Sequence, residues 1–245
     1  MRPKAFQAFY KKLETIKSHY NRYGFFSTVH VVTFQPLEKV KLLRVGYCHS
    51  LSIDGVSTKV YPEALGIEVR ELTRPEIRAL ANRAEDWFFK TAVETSLERG
   101  DVCFGAILDG EVICSAWGTT APLLQFGLLL VPPEDGFFEY RLFTKPEYRG
   151  QRIQVAVRSL MLQHFKERGF HWYFNTMYWT NTSSIAGARR IGFHRVATIV
   201  QIGPDSWNLS RILFQDKSPL VVVRKGSPLG SRAANPAPTR KEEDS

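Results

Sequence analysis

The chain has 245 residues, of which 44% are hydrophobic and 13% aromatic, enough for one large domain or a domain with an extension and unlike a disordered chain. No apolar run approaches the roughly 20 residues that span a bilayer, and no apolar stretch follows the basic start Met1-Arg2-Pro3-Lys4, so no signal peptide is expected. The formal charge of +9 is compatible with nucleic acid, an anionic membrane surface or an anionic ligand without deciding among them; no zinc-finger or RNP sequence accompanies it, so nucleic acid is not expected.

In chain order, Ala5 to Tyr20 reads as a helix. Phe6, Phe9, Tyr10, Leu13, Ile16 and Tyr20 form an apolar stripe with the lysines mostly off it, and Gly24 ends the helix. This basic helix either packs on its own domain, the favoured reading, or contacts a membrane surface or a partner. The β-branched and aromatic run Phe26 to Phe34 predicts a strand stopped by Pro36, and Val40 to Tyr47 a second. Ser50 to Pro62 is turn-rich and carries the hairpin signal Asp54-Gly55. Ile67 to Leu72 alternates as a strand does. Thr73-Arg74-Pro75-Glu76 has capping-box spacing and opens two helical stretches, Glu76 to Ala84 and Asp86 to Leu97. Val102 to Leu108 and Glu111 to Thr119 are strands joined at Asp109-Gly110. Pro122 to Gly136 is a long apolar connection, read as an extra strand or a flap.

The next stretch organises the rest. Phe137 to Phe143 is an apolar strand, Thr144 to Arg152 a short basic turn, and Ile153 to Arg168 an amphipathic helix ended by Gly169. Ile153, Ala156, Val157, Leu160, Met161, His164 and Phe165 share one face of it. A strand that enters a helix through such a turn directs backbone N–H groups at one point, and Arg149 and Arg152 add charge there. Either a phosphate-bearing ligand lies across this start or the arginines are simply solvated. A strand from Trp172 to Met177 follows, then a helix from Asn181 to Gly192-Phe193. His194 to Gly203 and Leu209 to Phe214 predict a hairpin around Pro204-Asp205, and Leu220 to Arg224 an edge strand. Gly226 to Ser245 has almost no apolar anchor and is expected to be disordered.

Two motifs carry a family resemblance. Thr144-x-Pro146-Glu147-Tyr148-Arg149-Gly150-Gln151-Arg152-Ile153 resembles the pyrophosphate loop of the GNAT N-acetyltransferases. Asn181-x-x-Ser184-x-x-x-Ala188-x-Arg190-x-Gly192-Phe193 resembles the second motif of that family at the same spacing. The resemblance covers roughly residues 66–214. It departs from the family pattern at Arg152 and Gln154, where later glycines of the loop would stand, and at Ala188, where a tyrosine often protonates the leaving thiolate.

The resemblance implies a mixed α/β fold, one twisted sheet flanked by helices. Residues 66–224 would form this GNAT-like domain, residues 1–65 an N-terminal extension of helix and strands, and residues 225–245 a tail. It also implies acetyl-CoA as acyl donor, with no metal. The donor would be held by Leu142, Phe143, Thr144, Arg149, Gly150, Gln151, Arg152, Ile153, Gln154, Asn181 and Ser184. The acceptor would be a primary amine of a small molecule or of a cell-envelope or sugar precursor. Glu139 lies where many members place a general base; read from residues alone, it pairs equally well with Arg141 on a solvated edge. Tyr178 and Tyr140 are candidate acids, and Asn181 is a helix cap. Cys48, Cys103 and Cys114 form no C-x-x-C pair, so neither a zinc site nor a disulfide framework is expected; the expected setting is the cytoplasm, either free or peripheral to the inner membrane face. Monomer and dimer both stay open.

Overall fold

The computed structural model describes residues 4–54, 56, 66–83, 87–203 and 209–224. Its first elements are α1 (Lys4–Lys39), β1 (Leu43–Ser52), β2 (Glu68–Glu71), α2 (Arg74–Arg83) and α3 (Trp87–Glu98). Then come β3 (Val102–Leu108), β4 (Glu111–Thr119), β5 (Leu123–Gln125), β6 (Leu128–Val131) and β7 (Gly136–Thr144). The chain closes with α4 (Ile153–Lys166), β8 (Trp172–Tyr178), α5 (Thr182–Ile191), β9 (His194–Ile202), β10 (Ser210–Gln215) and β11 (Val221–Arg224). The architecture is mixed α/β, as expected. It divides into two compact units, residues 1–49 with 177–217 and residues 50–176 with 218–245.

In the first unit, β10, β9 and β1 are neighbours in that order, and β10 runs antiparallel to β9. Helix α1 is broken at Gly24, whose backbone (φ 82°, ψ 177°) leaves the helical region at a value glycine adopts without strain. Beyond the break the chain is helical, so the strand expected over Phe26 to Phe34 is not formed. The Thr28 hydroxyl donates to the Gly24 carbonyl at 2.9 Å, four residues back along the chain, while His30 and Phe34 meet the Trp179 ring at 4.5 and 4.8 Å. Tertiary contact of this kind outweighs the few tenths of a kcal/mol per residue that disfavour β-branched side chains in a helix. Thr180 also donates to the Glu38 carboxylate. The expected packing of the earlier stripe fails at Leu13 and Tyr20, which are exposed; the side chains of Phe6, Phe9 and Tyr10 lie outside the described ones.

In the second unit the sheet order is β8-β7-β4-β3-β2, antiparallel except for the parallel pair β7–β8. Thr73 and Glu76 form the expected capping box: the Thr73 N–H donates to Glu76 at 2.8 Å, and Arg70 grips the same carboxylate at 2.7 and 2.9 Å. Between sheet and α4 lies an aromatic core, with Phe137 stacked on Phe165 at 3.9 Å and on Tyr173 at 4.5 Å. The apolar connection after β4 forms a hairpin, β5–β6, and β11 joins β6 to complete a separate three-stranded sheet. The turns expected at Asp54-Gly55 and Pro204-Asp205, and the tail after Arg224, fall wholly or partly outside the described residues.

Candidate functional site

Strand β7 carries a β-bulge. Its pairing with β4 steps from Tyr140↔Trp117 to Phe143↔Ser115, so Arg141 and Leu142 together oppose Ala116. Arg141 takes up the extra residue with a left-handed backbone, φ 51°. A bulge bends and twists the strand that carries it. On the other side, the registered pairs of β7 with β8 run only from Gly136↔Trp172 to Glu139↔Asn175, before the bulge. Past it, Phe143 is exposed, while Thr144 turns inward to within 3.2 Å of the Cys114 sulfur. Burial pushes the Cys114 thiol up to about 11, which leaves no thiolate nucleophile there near neutral pH.

The turn after β7 passes through a short 3-10 helix, Pro146–Tyr148, and reaches α4 through exposed Arg149, Gly150, Gln151 and Arg152. Gly150 (φ 83°) and Arg152 (φ 63°) are both left-handed, and Arg152 caps α4 without a side-chain hydrogen bond. Glycine suits the first of these values; at the second an arginine bears the strain that a glycine would avoid. Arg149 is partly used by the turn itself, since its Nε donates to the Thr144 carbonyl at 3.0 Å. Its terminal nitrogens have no partner among the described residues. Ile153 is buried at the start of α4 and anchors the turn.

Glu139, expected either as a general base or as a neighbour of Arg141 on a solvated edge, does not lie on a solvated edge and does not pair with Arg141. Its side chain is 4% exposed and receives both arms of Arg158, itself 6% exposed, at 2.7 Å each. Tyr173 donates a further hydrogen bond to the same carboxylate. Burial opposes charge on Arg158, but Glu139 outweighs it and the guanidinium stays firmly protonated. Burial, and then Glu139, raises the Tyr173 hydroxyl well above its ordinary value. A general base must reach the proton it removes; this carboxylate is enclosed and occupied. Arg158 and Tyr173 escaped the sequence reading. The available signal was a lone carboxylate between two phenylalanines and a tyrosine, which demands a buried partner.

Tyr140 faces a second network. Its hydroxyl donates to Asp101 and lies 2.8 Å from the Ser96 hydroxyl; Arg99 holds Asp101, and Arg141 reaches Ser96 at 3.3 Å. Burial, followed by the Asp101 charge, raises the Tyr140 pKa, so it is a poorer proton donor than free tyrosine. The remaining expected site residues belong to the first unit. Tyr178 ends β8 with an exposed ring. Asn181 caps α5 as expected: its Oδ1 accepts from the Ser184 N–H and the Ser183 hydroxyl at 3.2 Å each. Ala188, where the resembled family often has tyrosine, is fully buried packing.

No family model matches the chain, and no curated protein matches it. Solved structures similar to it include several GNAT acetyltransferases. A protein of Novosphingobium aromaticivorans assigned to the GNAT family is 20% identical, with 66% of each chain covered and a TM-score of 0.45. The GCN5-related N-acetyltransferase of Sphaerobacter thermophilus is 14% identical over 70% of this chain and 58% of its own, with a TM-score of 0.49. AAC(6')-Iy, solved with a CoA bisubstrate analog, is 16% identical over 52% of this chain and 90% of its own, with a TM-score of 0.42. The present chain spans less than two thirds of the length of the first two.

Proposed function

We propose that this chain is an N-acyltransferase that moves an acetyl group from acetyl-CoA to a primary amine of a small molecule or of a cell-envelope or sugar precursor. The observation that carries this reading is the sequence of bulge, basic turn and helix start along Tyr140 to Gln154, in the stretch whose residues resemble a pyrophosphate loop. The N–H groups that open α4, with Arg149 and Arg152, would take the donor's phosphates. The thioester would lie beside the bulged part of β7. The amine nitrogen attacks the thioester carbon; a C–N bond forms, the C–S bond breaks, and sulfur leaves as thiolate. A thiol ionises near 8.5, so this departure needs no dedicated acid, in keeping with Ala188. The nitrogen loses its proton to solvent, because Glu139 is committed to Arg158.

An alkylamine attacks only when neutral, so the rate should climb across roughly pH 6–9. The test is thiol release from acetyl-CoA over a panel of amine classes. Release that depends on one amine class and rises with pH supports the reading. The enclosure of Glu139 favours a second reading, in which acetyl-CoA binds without turnover. Tight binding with no thiol release from any amine would establish that second reading in place of the first.

A further inference from the structure

We propose that the face of α1 that follows Gly24 docks on an anionic lipid surface. From Phe25 to Leu37 the chain holds no Lys, Arg, Asp or Glu. The helix has two apolar faces. One is packed, through His30 and Phe34 on Trp179. The other points outward: Phe26 is 87% exposed, Phe25 60%, Val32 48% and Val29 46%. Phe25, Val29 and Val32 are spaced four and three apart, one stripe along the helix, with Phe26 and the exposed Thr33 flanking it. A helix packed on one side ordinarily shows charge to water on the other. Here water meets two phenylalanines and two valines, the composition of a surface with a partner.

The segment before Gly24 identifies that partner. It carries Arg2, Lys4, Lys11, Lys12, Lys17 and Arg22 against the single acid Glu14. Lys17 and Arg22 are exposed, and so are Leu13 and Tyr20, which share the stripe of Lys17. Cations beside outward aromatic and aliphatic side chains match the two layers of a lipid interface, phosphate above and acyl chain below. A second copy of this chain would instead bring the same cations against these. Among the described residues no helix is long and apolar enough to cross a membrane, so the helix would lie in the interface. This inference is independent of acyl transfer.

The test is co-sedimentation of the full chain with vesicles of phosphatidylcholine alone and of phosphatidylcholine mixed with phosphatidylglycerol. The wild type should pellet with the mixed vesicles and stay free of the neutral ones, and added salt should release it. Phe25→Ser with Phe26→Ser should weaken binding by about tenfold or more, with unchanged circular dichroism because both side chains are already exposed. Lys17→Gln with Arg22→Gln should weaken it by roughly severalfold. No binding to anionic vesicles, or equal binding by the serine variant, overturns the proposal. So does a concentration-dependent dimer that the serine variant dissolves without any vesicle binding, which would assign the face to a second copy.

Discussion

Helix α4 buries Ile153, Val157, Met161 and Phe165, whereas the part of α1 after Gly24 leaves Phe25, Phe26, Val29 and Val32 outward. The apolar material is similar and its use opposite. In α4 the apolar stripe faces the sheet, and exposed charges flank it at both ends, Arg149 and Arg152 before it and Lys166, Glu167 and Arg168 at its close. In α1 the packed face is made by His30 and Phe34, so Phe25, Phe26, Val29 and Val32 are left over. Apolar periodicity therefore identifies a helix face without saying what covers it. The neighbouring charges add to it: each helix has exposed basic residues beside the region where an anionic partner is proposed, Arg149 and Arg152 before α4 and Lys17 and Arg22 before the break in α1.

The comparison can be broken most severely at Arg158, the one charged side chain in the buried set of α4. Arg158→Ala leaves the enclosed Glu139 without its ion pair, and urea unfolding should show a loss of about 3–5 kcal/mol. Replacing both partners by leucine should recover most of it, since apolar substitutes for a buried pair are often neutral. Next comes a matched pair of truncations. Met161→Ala in the packed stripe should cost about 2–5 kcal/mol, while Val29→Ala on the outward face of α1 should change stability by about 0.5 kcal/mol at most. Equal effects would mean that the two faces are not differently covered.

A smaller effect comes from His49, on β1 in the unit that contains α1. Burial, reinforced by Arg189, Arg195 and His194, lowers its pKa to about 4. The unfolded chain then binds a proton that the folded chain refuses. Stability from this group is present above its ordinary value near 6.5 and is lost as pH falls from there toward 4. The melting temperature should decline across that window, and His49→Gln should flatten the decline. An identical slope in the variant would show that His49 stays neutral in both states or charged in both.

Much of the second unit was legible because its signals are local. The capping box at Thr73, the turn at Asp109-Gly110 and the stripe of α4 each specify structure within a few residues, and the chain follows them. The strand expected at Phe26 to Phe34 failed because its preference is weak and Trp179, far along the chain, decides the conformation. In the candidate site, the order strand, basic turn, helix was readable. The fate of Glu139 was not, because its partners Arg158 and Tyr173 come from a helix and a strand whose register the sequence does not display. The bulge at Arg141 was hidden for the same reason, since it exists only relative to Ala116 on β4.

The central claim is that the turn before α4 holds the phosphates of acetyl-CoA. Titration calorimetry of the full chain with acetyl-CoA, at low salt, tests it most directly. The account predicts measurable binding that Arg149→Glu with Arg152→Glu weakens by more than about tenfold, with circular dichroism unchanged and the melting temperature lowered only by the loss of the Arg149–Thr144 hydrogen bond, because both side chains are exposed. Binding of unchanged affinity in that variant, or no binding by the wild type, would contradict it.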